Sequence, residues 1–227
     1  MKPAAFVYHA PASLEDAVSI LAEVAPDEGR VLAGGQSLVP AMALRAAMPR
    51  HLVDINRIAE LSAIESGDAH LEIGACVRHV AFERALRATP LTELLGEVVR
   101  HIAHYPIRTR GTFCGSIAHA DPAAEWCLVA ATLGATMCAT SVRGTRTIPA
   151  PGFFQGVMTT ALAADELLVS VQLPQLAADT RFGFYVFSRR AGDFAMVMAL
   201  ASYRIEGGVA ADVRIGVGAI EDRPRAG

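Results

Sequence analysis

Two short runs of small residues hold most of the chemistry this sequence offers: Ala33-Gly34-Gly35-Gln36-Ser37 and Thr112-Phe113-Cys114-Gly115-Ser116. Each follows or interrupts an apolar stretch and opens toward a predicted helix. Glycine has no Cβ, so such turns can take positive φ and bring backbone N–H groups close to a ligand. Free amides beside a helix N-terminus bind phosphate. One turn of this kind is as well explained by a tight reversal of the chain. Two in one chain can hold the two phosphates of a dinucleotide.

Other chemistries find little support. No Ser–His–Asp order, no paired carboxylates in an acid–base arrangement and no HExxH spacing occurs, so hydrolysis is not indicated. Cys76, Cys114, Cys127 and Cys138 form no CxxC pair, and their spacing fits neither zinc nor an iron–sulfur cluster. They read as buried free thiols, and any cluster serving this protein is expected on another chain. With 52% apolar and 19% charged residues and a formal charge of -3, the 227-residue chain is globular and lacks a strongly basic nucleic-acid surface. No apolar run reaches the roughly 18 residues of a membrane helix. Met1-Lys2-Pro3-Ala4-Ala5 does not open a signal peptide. The expected location is the cytoplasm.

The elements that must position the two turns follow from periodicity and punctuation. Phe6-Val7-Tyr8 reads as a strand, and Ser13 caps a helix whose apolar face is Leu14, Ala17, Val18 and Leu21. Val31-Leu32-Ala33 is a strand running into Gly34-Gly35. Ser37 is expected to cap a short helix reaching about Arg45, with Leu52-Val53-Asp54-Ile55 as the next strand. This is a small βαβ-like unit. A second region begins near Asn56, with strands at Ser62-Ala63-Ile64 and His70-Leu71-Glu72-Ile73 joined through Gly67-Asp68. Helices are expected over Val80 to Arg87 and Leu91 to about Ala103, the latter with Leu94, Leu95, Val98, Val99 and Ile102 in one stripe. Asp121-Pro122 reads as the start of a helix ending at Gly134. Strands follow at Ala135 to Thr140 and Leu167 to Val171. From about Leu176 an antiparallel meander is expected over Phe182 to Ser188, Met196 to Ile205 and Val213 to Ala219, turning at Gly207-Gly208. A sheet this apolar needs a helical layer or a partner on its faces.

Taken in order, Leu32-Ala33-Gly34-Gly35-Gln36-Ser37-Leu38, Ile107-Arg108-Thr109-Arg110-Gly111-Thr112 and Cys114-Gly115-Ser116-Ile117-Ala118-His119-Ala120-Asp121-Pro122-Ala123-Ala124-Glu125 resemble the FAD-binding medium subunit of molybdenum hydroxylases, the family of xanthine dehydrogenase and carbon monoxide dehydrogenase. The resemblance continues through Phe153-Phe154-Gln155-Gly156, Asp165-Glu166-Leu167-Leu168 and Arg189-Arg190-Ala191-Gly192-Asp193-Phe194-Ala195, and so covers nearly the whole chain. It implies an α+β fold: a two-subdomain FAD-binding domain of the vanillyl-alcohol-oxidase (PCMH) type over 1–175, with subdomains of about 1–55 and 56–175. A shortened CO dehydrogenase flavoprotein C-terminal domain, an antiparallel sheet, would occupy 176–227. It implies non-covalent FAD on this chain, a small partner with two 2Fe-2S clusters and a large partner with the molybdenum cofactor, assembled as a dimer of heterotrimers. Electrons would pass from the clusters through FAD to an external acceptor, and the holoenzyme would hydroxylate an N-heterocycle or an aldehyde in preference to CO. The alternatives are a stand-alone FAD oxidoreductase of the same fold and a flavin-free structural subunit.

Residue by residue, the resemblance assigns Ala33, Gly34, Gly35, Gln36 and Ser37 to the pyrophosphate, with Leu32 and Leu38 in the same turn. Thr112, Cys114, Gly115 and Ser116 would face its other side, the Thr112 hydroxyl as a donor, with Ile107, Ala120 and Asp121 nearby. Glu125 would meet the ribose or adenosine end, and Ile102 and Leu168 the flat rings. Two positions depart from the family. Cys114 replaces the first of two adjacent glycines, and Tyr185 stands where a basic residue is common near the flavin. Trp126 reads as core, His119 as a structural hydrogen-bonding group, and His101 and His104 as helix-end or surface residues. Arg189-Arg190 is open between a solvated pair and an interface or flavin-domain role.

Overall fold

The structure, a computed structural model, describes residues 2–83 and 87–227. Strands Val7–His9, Gly29–Leu32 and His51–Asp54 form a parallel sheet with His51–Asp54 in the centre. The helix Leu14–Val24 links the first two strands. Ser13 Oγ accepts from the Asp16 amide at 3.1 Å, and Ala17, Val18, Leu21 and Val24 are buried. The next helix is shorter than expected, Leu38–Ala43. Ser37 occupies the cap position, but its backbone is helical (φ -100°, ψ -46°) and its side chain makes no capping bond. A capping serine needs extended backbone to turn its hydroxyl onto the following amides.

The second sheet is antiparallel, in the order Ile64–Ser66, His70–Gly74, Leu167–Pro174, Thr136–Ser141, Gly144–Pro149. Ser62 and Ala63, expected to start its first strand, lie outside it, because Ala59–Ser62 form a 3-10 turn. The edge strand Gly144–Pro149 has no counterpart in the sequence reading. Of the helix expected over Val80 to Arg87, His79–Glu83 form a 3-10 turn, and residues 84–86 lie outside the described residues. Helix Pro90–Val99 is capped by Thr89 through a reciprocal bond with Thr92, and it buries Leu91, Leu94, Leu95, Val98 and Val99. Each such side chain contributes about 1.5–3 kcal/mol by leaving water. Ile102 is buried just past its end.

The helix assigned to Asp121-Pro122 starts at Glu125 instead and runs to Leu133. Asp121 Oδ1 accepts from the Ala123 amide at 2.8 Å and the Asp121 carbonyl from the Ala124 amide at 2.9 Å. The dipeptide therefore closes a turn ahead of the helix. The helix itself is buried all round, packed between the second sheet and a third. That third sheet is a meander of Arg181–Phe187, Val197–Glu206, Val209–Gly218 and Arg225–Ala226. Its inner face, with Met198 and Leu200, rests on Glu125–Leu133, where Gly216 leaves no room for a Cβ above Thr132 Oγ1. Tyr185, Phe187 and Ile215 remain exposed. Among the described residues no helix is long and apolar enough to cross a membrane.

Candidate functional site

The first glycine turn is shaped by the backbone. Gly35 has φ +71°, a conformation glycine takes without the penalty a side chain would bring. Leu32 ends its strand by accepting from the Ile55 amide, and Gln36 Nε2 donates to the Gly34 carbonyl at 3.0 Å. Carbonyls of the turn are thus engaged: Gly35 accepts from Val39 at 3.0 Å and Ser37 from Ala41 at 3.2 Å. The amides are not. Among the described residues the N–H groups of Ala33, Gly34, Gly35, Gln36, Ser37 and Leu38 have no acceptor within the chain. The missing Ser37 cap is part of the reason, since nothing in the turn folds back to satisfy them. Such a row of unpaired amides is a donor set of the kind that can hold an anion.

The second run is organised differently. Thr112 is the cap of helix Phe113–His119. Its Oγ1 accepts from the Gly115 amide at 3.0 Å and its carbonyl from the Ser116 amide at 3.0 Å, and the Phe113 amide donates to Val77 O. The Gly115 and Ser116 amides are therefore occupied by the cap. Thr112 itself is only 2% exposed, so its hydroxyl first shapes the turn. In the opening turn of this helix the one amide left without an acceptor among the described residues is that of Cys114. Its side chain points the other way: the buried Sγ donates to Ile73 O at 3.2 Å, and burial holds the thiol well above its ordinary range. Cys114 has no positive φ, so the substitution for glycine carries no backbone strain.

The fold brings these runs together. A Cβ on Gly34 would lie 2.4 Å from Arg110 O and 2.7 Å from Gly111 Cα, and one on Gly115 would face Ala33 Cβ at 3.8 Å. Beneath the second run, Phe113 stacks with Trp126 (4.8 Å between centroids) and both meet Phe82. Trp126 is fully buried core, as expected, and its Nε1–H donates to His79 Nδ1 at 2.9 Å. The proton of that ring consequently sits on Nε2, which abuts Gly111. Burial pulls His79 down to about 4, with Arg108 and Arg78 adding to the effect, so it stays neutral.

The other predicted positions spread outward. Ala120 ends the helix in a left-handed conformation (φ +53°) and accepts from the Met158 amide. Asp121 closes the turn already described. Ile107 lies on the short helix Tyr105–Arg108. Leu168 is enclosed in the second sheet, opposite Ala139. Tyr185 is 68% exposed on the third sheet. A groove of about 720 Å³ between helix Pro90–Val99 and strand Arg181–Phe187 is lined by none of these residues.

Glu125 begins its helix at 8% exposure, with no cationic partner within 4.0 Å among the described residues. Burial pushes its carboxyl up to about 7; its own amide pulls it back and Asp121 adds to the rise. Between about 4.5 and 7 the native chain keeps a proton that the unfolded chain has lost, so this group makes stability fall as pH rises through that window. Glu125→Gln is expected to be more stable than the parent above pH 7, by up to about 3 kcal/mol. The two should converge near pH 4.5. Thermal melts of the flavin-free protein across this range check the sign, and equal slopes would refute it.

Asn56 and Arg78, which the sequence reading did not select, join the two runs. Asn56 Nδ2 donates to Ala33 O at 2.8 Å, and Arg78 reaches both Asn56 Oδ1, at 2.5 Å, and Arg110 O. The only available signal was an Asp-x-Asn after a strand, which is too common to single out.

Paired glycine runs, one with its amides free, on a parallel three-stranded unit beside an antiparallel sheet make a site suited to the phosphates of a dinucleotide. Residues 4–176 match the family described as FAD binding domain in molybdopterin dehydrogenase, and the chain belongs to that family. Within it, the chain is 38% identical over 223 residues to the nicotine 6-hydroxylase medium subunit of Paenarthrobacter nicotinovorans, covering 96% of this chain and 76% of that one. It is 36% identical to the carbon monoxide dehydrogenase medium chain of Hydrogenophaga pseudoflava, over 95% and 75% of the two chains. Quinoline 2-oxidoreductase from Pseudomonas putida 86 superposes with a TM-score of 0.94 at 40% identity, over 100% of this chain and 78% of that one. This chain is accordingly a FAD-binding, medium-subunit member of the molybdenum hydroxylases.

Proposed function

We propose that the chain carries FAD non-covalently as the electron exit of a molybdenum hydroxylase. Its partners are a small subunit with two 2Fe-2S clusters and a large subunit with the molybdenum cofactor, assembled as a dimer of heterotrimers in the cytoplasm. The observation that carries this reading is the row of free amides from Ala33 to Leu38 facing the turn that Thr112 caps. The amides fit a pyrophosphate, with the Cys114 N–H and the half-buried Ser116 hydroxyl on the opposite side. Glu125 offers an acceptor for sugar hydroxyls, and Ile102 and Leu168 an apolar flank. FAD, when bound, supplies a carrier that accepts electrons singly and releases them in pairs. The protein's part is to hold the dinucleotide and shield its phosphates. Relatives named for nicotine, caffeine and quinoline support an N-heterocycle as the substrate class.

Anaerobic addition of such a heterocycle to the purified complex tests the reading. Bleaching of the flavin band only when both partner chains are present is the expected result. Bleaching in the isolated chain would make it a stand-alone oxidoreductase instead.

A further inference from the structure

We infer that Asn56 and Arg78 form a bracket that locks the two glycine runs into one phosphate cradle, so that they are positioning residues for the dinucleotide. The inference rests on the FAD-binding reading above.

The bracket is built from the backbone up. Residues Val77 to His79 are zipped against Gly111 to Phe113: His79 N–H donates to Gly111 O at 3.0 Å, Phe113 N–H to Val77 O at 3.0 Å, and Arg78 pairs with Thr112 as an isolated β-bridge. This fixes the Arg78 backbone beside the second run. From there its guanidinium spans to the first, with Nη1 on Arg110 O and Nη2 on Asn56 Oδ1. Asn56 is held by Asp54, whose Oδ1 accepts from both the Asn56 amide, at 2.9 Å, and Nδ2. Tyr8 in turn donates to Asp54 Oδ2. The same Asn56 Nδ2 donates to Ala33 O, the carbonyl at the mouth of the free-amide row. One chain of bonds therefore runs from the parallel sheet to Ala33 and across to Arg110, next to the point where Gly34 touches Arg110 and Gly111.

Two features mark this as more than surface decoration. Among the described residues Arg78 has no carboxylate within 4.0 Å, so its charge is spent on carbonyls beside a row of unpaired donors. A planar guanidinium can bridge two acceptors at fixed separation, which a lysine ammonium on its flexible stem does poorly. And among the described residues Asn56 is the only side chain that donates to a carbonyl of the residues from Ala33 to Leu38 apart from Gln36, which belongs to the turn itself.

The test uses the complex purified through this chain, stripped of flavin and titrated with FAD and, separately, with ADP, which keeps the pyrophosphate and lacks the flavin. Arg78→Met and Asn56→Ala should each weaken both ligands in parallel by about tenfold or more, the loss expected for a charge-assisted bond. The double variant should cost little beyond either single change, since both break one bracket. Arg78→Lys, the mildest change, should recover part of the affinity. Unchanged FAD and ADP affinity, additive losses, or a lowered melting temperature at parental affinity would overturn the inference. Failure of the parental complex to bind FAD would instead overturn the functional reading on which it rests.

Discussion

Gly34→Ala is expected to abolish FAD retention and to destabilise the protein by about 1–3 kcal/mol, the usual cost of overpacking against groups that cannot yield. The added Cβ would sit 2.4 Å from Arg110 O and 2.7 Å from Gly111 Cα, both backbone atoms. Arg110 and Gly111 are themselves held, Arg110 by Arg78 and Gly111 by the His79 ring and amide. The two runs must therefore part, and the amide row loses its opposing wall. Gly35→Ala makes the informative contrast. Its Cβ would meet only the ends of Val39 and Leu32, at 3.1 and 3.2 Å, and its φ of +71° carries a strain of about 1 kcal/mol. FAD content and thermal melts of the two variants rank them directly. A Gly34→Ala protein with full flavin, or one less affected than Gly35→Ala, would show that the contact between the runs is not what builds the site.

The second large effect lies below the surface. Trp126→Ala should cost about 3–5 kcal/mol, the range for deleting a buried large aromatic side chain. It removes the ring that Phe82 and Phe113 stack on, and it leaves His79 Nδ1 without its donor. Because His79 supports Gly111, flavin affinity should fall with stability. The pH dependence separates the two roles. A buried neutral histidine whose pKa is pulled down to about 4 makes the native state lose stability as pH falls from about 6.5 toward 4, since only the unfolded chain takes up the proton there. Opening a cavity beside the ring lets water in and should weaken that acid sensitivity. Denaturant melts at pH 5 and pH 7 measure it, and an unaltered acid slope in Trp126→Ala would mean that His79 owes its low pKa to something other than this packing.

Much of the fold is legible because its signals are local. The stripe from Leu91 to Ile102 is buried as its spacing predicts, Ser13 caps its helix, and the Gly207-Gly208 turn joins two strands with both glycines at positive φ. The family likeness is carried by the same glycine runs that the physical reading starts from. The misreadings have a common cause, which is tertiary context overriding a local cue. Ser37 and Asp121-Pro122 are good capping signals by type, yet the left-handed Gly35 delivers Ser37 in a helical conformation, and Asp121 spends its carboxylate on the turn before Glu125. Thr112 shows the converse. Its Oγ1 does cap, accepting from the Gly115 amide, a role that leaves the hydroxyl proton free for the phosphate contact expected of it. Cys114 looks like a liability as a letter in the sequence and carries no strain in space, because its φ is not positive and its buried thiol bonds Ile73 O. Asn56, Arg78 and His79 escape a reading along the chain because their partners lie 22 to 47 positions away. Nothing in their immediate neighbours announces such a bond.

The measurement that bears most directly on the central claim is a visible absorption spectrum, with iron and molybdenum analysis, of the complex isolated through this chain under gentle conditions. Flavin released intact as FAD, in fixed proportion to iron and molybdenum, is the predicted result. Iron and molybdenum without flavin would contradict it: the free amides from Ala33 to Leu38 would then hold no dinucleotide, and the chain would serve its complex as a structural subunit.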